Sequence, residues 1–233
     1  MGHAAIASTL LDVSAAEEPA GPVSRQERKQ RTRQALLDAA LDLLADRSFA
    51  SLSLREVAKG AGIVPTAFYR HFSSMEELGV ALVEETTRTL RGLLRGARTE
   101  QSGYGGMIRA SVHTLHRHVR EHEDHFRFVT RERYSGPGAV SRAIAVEMRM
   151  FSSDLALDLA RFDPLRTWPT EDLHVLADLI VTAMLGTVAE LLDIRPGDTA
   201  ADERTLVAAE KTAPDDSARG AALAALATWP ICT

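Results

Sequence analysis

Of the 233 residues only one, Cys232, carries a thiol. A single thiol excludes a disulfide framework within the chain, a cysteine-based zinc cluster and a paired redox site, and a reducing cytoplasm is the expected location. Fifteen glycines and nine prolines are too few for a collagenous or low-complexity chain. Long hydrophobic runs are missing too. The uncharged apolar run between Asp178 and Glu190 has eleven residues and the uncharged stretch 220–233 has fourteen, both short of the roughly 20 needed to span a bilayer. No membrane partner is therefore expected. No basic segment precedes the first apolar residues, and Asp12, Glu17 and Glu18 follow them, so no signal peptide is expected either. What is present is a 45% apolar share, enough for one medium domain or for a small domain joined to a larger one.

The formal charge of −5 argues at first against a polyanionic partner, but it is unevenly distributed. Residues 24–75 hold nine basic side chains, Arg25, Arg28, Lys29, Arg31, Arg33, Arg47, Arg55, Lys59 and Arg70, against five acidic ones, Glu27, Asp38, Asp42, Asp46 and Glu56. This stretch carries +4 and the remainder −9. A basic segment beside a larger acidic one suggests a polyanion-binding module attached to a body with another task.

The pattern along the chain is helical throughout, and nothing reads as a strand. Residues 1–23, rich in Ala, Gly and Pro, read as a flexible tail. Leu36, Leu37, Ala40, Leu41 and Leu44 form an apolar stripe at helical spacing. Ser53 with Glu56 makes a capping box for a two-turn helix that ends at Gly60 and Gly62. Pro65 opens a third helix, 65–72, and Ser74 with Glu77 caps a long one reaching about Arg98. Further helices are predicted over 106–121, 122–134, 139–161, 171–193 and 201–211. The expected fold is all-α with about nine helices.

A short helix, a glycine-containing turn and a second short helix can hold a recognition helix against the DNA major groove. The turn needs Gly60 or Gly62 for a backbone conformation that a Cβ disfavours. Phe49, Leu54, Val57, Ile63, Phe68 and Phe72 supply a small core for the corner. Thr66, Ala67, Tyr69, Arg70 and His71 remain outside, suited to base edges and phosphates.

On these residues the sequence resembles the TetR family of bacterial transcriptional regulators. The likeness rests on Arg33-Gln34-Ala35-Leu36-Leu37-Asp38-Ala39-Ala40, on Ser53-Leu54-Arg55-Glu56-Val57-Ala58, and on Gly62-Ile63 with Phe68-Tyr69-Arg70-His71-Phe72. Within the family, Arg47 through Ala58, Pro65 through Phe72, Glu77-Leu78-Gly79 and Arg131-Glu132-Arg133 with Ser135-Gly136 are similar to the FabR/DesT branch. That branch represses genes of unsaturated fatty-acid synthesis and responds to long-chain acyl-CoA. Val64 departs from the small hydroxyl residue that most of the family has before the third helix. The resemblance covers roughly 24–195.

It implies a DNA-binding domain over 24–75 and a helical ligand-binding and dimerisation domain over 76–211. Thr66 becomes a groove contact, Tyr69 and His71 phosphate contacts, and Ser53 and Arg55 backbone contacts. Arg25, Arg28, Lys29 and Arg31 lie along the DNA flank, adding affinity that salt weakens. Ala67 and Arg70 complete the reading surface. A homodimer on a palindromic operator is expected, because one recognition helix reads too few base pairs. For an acyl-CoA effector, Phe126, Phe128, Val129, Met148, Phe151, Leu155, Met184 and Leu185 are candidate lining of an apolar tunnel. Arg133, with Arg131 and Glu132, either faces the CoA end or ties helices together. No cofactor, catalytic residue or metal site is expected.

The resemblance stops after Lys211. Codons for the Lys-Gln-Leu-Arg-Met-Ile segment expected there, with one inserted nucleotide, can encode the Lys-Thr-Ala-Pro-Asp-Asp found, so 212–233 reads either as a frameshifted end or as ordinary divergence. Other functions fare worse. His113, His116, His118, His122 and His125 form a dense cluster, but only His122 falls on the stripe defined by Val112, Leu115, Val119 and Phe126. A polar helix face is the favoured reading of the cluster over a metal sensor. A di-iron enzyme needs two Glu-x-x-His motifs, and only Glu171-x-x-His174 is present. A regulator answering to another apolar molecule, such as a drug, an alkane or a different lipid, is the nearer alternative.

Overall fold

The computed structural model describes residues 24–45, 47–99, 104–194 and 198–212. The tail 1–23 and the end 213–233, with the frameshift question and Cys232, lie outside them. Among the described residues there are nine α-helices and no strand: α1 (Arg25–Leu44), α2 (Leu54–Gly60), α3 (Pro65–Phe68), α4 (Met75–Thr99), α5 (Tyr104–Glu121), α6 (Glu123–Glu132), α7 (Ala139–Leu159), α8 (Thr170–Asp193) and α9 (Thr199–Thr212). Two short 3-10 turns, Phe49–Ser51 and Asp163–Leu165, join them.

Local chemistry sets the first helices. α1 starts with a capping box between Ser24 and Glu27, and α2 with the one formed by Ser53 and Glu56. Each satisfies two backbone groups that a helix start leaves without partners. The box at Ser74 is split: the Ser74 hydroxyl accepts from Glu77 N at 3.2 Å, while the Glu77 carboxylate accepts from Ser73 N at 2.6 Å. The third helix is shorter than its sequence suggests. α3 ends at Phe68, and Tyr69 to His71 form a tightened turn in which Arg70 N bonds Ala67 O and His71 N bonds Phe68 O, three residues back. Val64 offers no side-chain cap, so propagation has little to build on.

The turn between α2 and α3 needs Gly62, whose φ is +70°, while Gly60 lies inside α2. Leu36, Leu37, Val57, Phe68, Phe72 and Leu78 are buried together, and the same cluster includes Phe128, Val140 and Ile144 of α6 and α7. The core beneath the helical corner is thus continuous with the body. At this junction Gly79 lets α4 approach closely: a Cβ there would lie 2.6 Å from both Phe49 and Val140.

α4 and α7 pack side by side, and three ion pairs run along their seam. They join Arg91 to Glu147, Arg95 to Asp154 at 3.1 Å, and Arg98 to Asp158 at 2.5 Å. α5, α7 and α8 enclose two further apolar clusters, around Val119 and Leu191 and around Leu159 and Ala177. α9 lies against α5 and α8, tied down by an ion pair from Arg120 to Asp202. α8, although interrupted by charge, has a mean hydropathy of 1.9 over its best window and is long and apolar enough to cross a membrane. The uncharged run between Asp178 and Glu190 understates it, because the charged residues fall near the helix ends and within the turns before that run. Only 22% of that window is buried, and Val175 and Leu179 are exposed.

Gly62 sits in open space, with nothing within 4 Å of a Cβ built there, so its requirement is purely conformational. Gly62→Ala should therefore destabilise the fold by about 1–2 kcal/mol, the cost of placing a Cβ in a left-handed conformation. Gly62→Asn, which tolerates that region better, should cost less; chemical denaturation of both variants checks the order.

Candidate nucleic-acid interface and effector cavity

The corner presents one exposed surface. Thr66 and Arg70 are exposed on α3 and the turn after it, Tyr69 is 63% exposed, and Ala67 is partly buried. The Tyr69 ring rests edge-on against Phe68, with ring centroids 5.8 Å apart. Phe68 and Phe72 point inward at 0% and 1% exposure. Of the residues expected to read DNA, Arg28, Ser53, Arg55, Thr66, Tyr69 and Arg70 are exposed.

Two details sharpen the electrostatics. The Ser53 hydroxyl accepts from Glu56 N and also lies 2.7 Å from the Glu56 carboxylate. With the Arg47 guanidinium 3.0 Å away, these bonds hold the Glu56 carboxyl at about 2. Glu56 therefore stays ionised and occupied with its own helix start. His71 is different. It is partly buried and its Nδ1 has no partner. Burial first, then the charges of Lys29, Arg33 and Arg70, push its pKa below the usual histidine range. Arg33 is fixed nearby, its guanidinium 4.8 Å from the centre of the Phe72 ring. The three cations around His71 come from α1 and from the turn after α3, so α1 supplies much of the positive field beside the exposed surface.

α6 joins this head to the body. Arg131 donates to Leu44 O at 2.9 Å and Arg47 O at 2.6 Å, carbonyls at and just beyond the end of α1. Glu132, 3% exposed, accepts from Phe49 N at 2.9 Å. Arg131 and Glu132 therefore tie the head to the body. Arg133 instead lies over the Tyr134 ring at 5.4 Å.

A cavity of about 230 Å³ opens among α4, α5, α7, α8 and α9, with a smaller one of about 60 Å³ beside it; both are lined by Leu94, Leu115, Phe151, Val181 and Met184. Of the residues expected to line a tunnel, Phe151, Leu155 and Met184 face the larger cavity, and Phe126, Val129, Met148, Phe151, Met184 and Leu185 the smaller. Phe128 and Arg133 line neither. Phe128 packs under the head, 6.1 Å from the Phe49 ring centre. Sequence reasoning missed Arg98, Ser111 and His116, which line the larger cavity. Ser111 was detectable, being a hydroxyl between Met107 and Leu115 on the inward row of α5.

The histidines also differ from expectation. His118 is the buried one, at 5%, and lies edge-on to Phe126, whereas His122 is exposed. Helical extrapolation fails there because α5 ends at Glu121 and His122 is the non-helical residue before α6, with φ −137° and ψ 42°. His118, Glu121 and His122 bring one donor atom each within 4.8 Å of one another. Burial and the neighbouring His122 keep the pKa of His118 below its ordinary value.

Residues 36–82 match the family described as bacterial regulatory proteins, tetR family, and residues 104–210 match the tetracyclin repressor-like C-terminal domain. The fold is similar to that of AibR in complex with isovaleryl coenzyme A and operator DNA, at 16% identity and a TM-score of 0.62 over 78% of this chain and 97% of that one. It is similar to the fatty acid degradation regulator FadR from Bacillus halodurans, at 15% identity and 0.65 over 77% and 94%. A TetR-family transcriptional regulator from Streptomyces coelicolor matches at 19% identity and 0.61 over 80% and 97%. At such identities the solved structures speak for the fold, and the two domain matches for the family. With the helical corner, its basic flank and the cavity-bearing body on one chain, the protein belongs to the TetR family and is a DNA-binding transcriptional regulator, not an enzyme.

Proposed function

We propose that the protein is a repressor of fatty-acid metabolism genes, acting in the cytoplasm as a homodimer on a palindromic operator, with its operator affinity set by an acyl-CoA held in the helical body. The working units are the head, 24–75, and the body, 76–211. The observation that carries the reading is the exposed Thr66–Tyr69–Arg70 surface on a rigid corner, beside a cationic first helix and above an apolar cavity. Thr66 and Ala67 approach base edges, while Tyr69, Arg70, His71, Arg55 and Arg28 meet phosphates. Ser53 serves mainly by capping α2. The acidic body repels the duplex and leaves contact to the head.

The acyl-CoA part is supported by the sequence likeness to the FabR/DesT branch and by the isovaleryl coenzyme A named for the AibR structure. The cavity of about 230 Å³ lies below the roughly 300–1,000 Å³ of typical ligand pockets. In this conformation it suits a short or medium acyl part better than the long chain expected from the likeness. α6 carries Phe126 and Val129 at the smaller cavity and Arg131 and Glu132 at the head. A ligand that favours one position of α6 shifts the head with it, by as much as its affinities for the two states differ.

The exposed apolar face of α8 supports the dimer, since a second copy covers Val175 and Leu179 without exposing them to lipid. One observation favours a second reading, a metal-responsive regulator: the convergence of His118, Glu121 and His122. Calorimetric titration with zinc separates the two, because saturable binding lost in His122→Ala supports the metal reading and the absence of binding heat rejects it.

Tyr69→Ala should lower operator affinity at least tenfold in a mobility shift while leaving the melting temperature unchanged. His71 gives a pH signature. In the free protein its lowered pKa keeps it neutral near pH 7; a phosphate offsets the nearby cations and raises that pKa, so binding takes up a proton. Operator affinity should rise as pH falls from 8 towards 6, and the slope attributable to His71 should vanish in His71→Gln. Val175→Glu should shift the protein towards monomer in light scattering and weaken operator binding in parallel.

A further inference from the structure

The larger cavity is apolar except at a few points, and two of those points carry polar atoms with no partner. Ser111 Oγ and His116 Nε2 are buried and make no hydrogen bond. Both belong to α5, which turns two adjacent rows towards the space, Met107–Ser111–Leu115 and Val112–His116. An orphaned buried polar group costs roughly 1–3 kcal/mol. The Ser111 hydroxyl also forgoes a bond that helical hydroxyls make easily. Thr86, Thr87 and Thr187, all beside the two cavities, each bond the carbonyl four residues earlier, at 2.9, 2.9 and 3.3 Å.

The charges around the space are already engaged. Arg98 is held by Asp158. Asp202 is taken by Arg120, and its Oδ1 stands 3.7 Å from His116 Nε2, too far for a hydrogen bond. Among the described residues no free arginine or lysine lines the cavity to neutralise a carboxylate inside it, and Asp202 beside His116 repels one. The unmet demand is for neutral hydrogen bonding.

We infer that Ser111 and His116 form the polar anchor of the effector cavity, and that the buried part of the effector is a short or medium apolar body bearing one neutral carbonyl or hydroxyl group. The inference rests on the reading of this cavity as the effector site. The serine hydroxyl can donate and accept, and the imidazole nitrogen does either according to tautomer, so a ketone, an alcohol or the thioester carbonyl of an acyl-CoA fits the pair. A free fatty-acid anion does not.

Calorimetry on the full chain with 1-octanol, 2-octanone, octanoate, octanoyl-CoA and ethylbenzene tests the anchor. The wild type should bind the two neutral polar probes and octanoyl-CoA, with octanoate at least tenfold weaker. Ser111→Ala and His116→Leu should each weaken 1-octanol about tenfold, leave ethylbenzene unchanged, and melt no lower than the wild type without ligand, because each removes an orphaned group. His116→Gln should restore part of the loss. Unchanged 1-octanol affinity in both variants, a preference for octanoate, or no binding of any neutral polar probe by the wild type overturns the inference. A lower ligand-free melting temperature in Ser111→Ala also overturns it, since the hydroxyl would then have a structural partner. A mobility shift with the same probes tests the effector reading separately: probes that bind through Ser111 yet leave operator affinity unchanged sustain the anchor and refute the effector role.

Discussion

The end of α1 is the place on which the arrangement of head and body turns. A helix leaves its last carbonyls without partners, and α1 closes without a glycine cap and without a basic residue in its last turn. The donors come instead from far along the chain, from the Arg131 guanidinium on α6. Glu132, the next residue, accepts the backbone N–H of Phe49 in the following turn. The bond to the buried Glu132 carboxylate contributes about 1.5–3 kcal/mol, while those of the exposed Arg131 are weakened by solvent and contribute less. Together they also fix direction: α6 cannot shift along its axis without either breaking these bonds or drawing the end of α1 with it.

That constraint unites features that are separate in sequence. Phe128 fills the core under the head, Phe126 and Val129 face the smaller cavity, and Arg131 and Glu132 hold the loop after α1, all within one ten-residue helix. α4 forms the parallel connection. Leu78 and Leu82 belong to the core shared with the head, Leu90 and Leu94 to the cavity side, and the arginines between and beyond them pair with α7. The uneven charge has a place in this arrangement too, with cations on α1 and beside α3 and, in the body, Glu147, Asp154 and Asp158 engaged along the α4–α7 seam.

The head was legible because its determinants are local. Ser53 and Glu56 mark a helix start three residues apart, Pro65 marks another, and Gly62 marks the turn, each through its own backbone preference. Where the chain leaves regular geometry, legibility falls. The continuing apolar spacing predicts α3 through to Phe72, yet the backbone tightens after Phe68. Periodicity puts His122 on a helix face that ends one residue before it, and the buried histidine is His118. Composition suggested an apolar pocket, but apolar residues on helices do not announce which cluster they join. Phe128 went to the head core and Phe151 to the cavity, a choice made by packing between α4, α6 and α7. The polar exceptions, Ser111 and His116, break the apolar pattern that marks a tunnel, so that pattern does not indicate them.

The claim that α6 couples the cavity to the DNA-binding head is tested most directly by operator affinity in Arg131→Ala, measured with and without octanoyl-CoA, alongside octanoyl-CoA binding in the absence of DNA. The variant should bind octanoyl-CoA as the wild type does while the ligand's effect on operator affinity falls to a small fraction of the wild-type change. An undiminished ligand effect in Arg131→Ala would contradict the coupling.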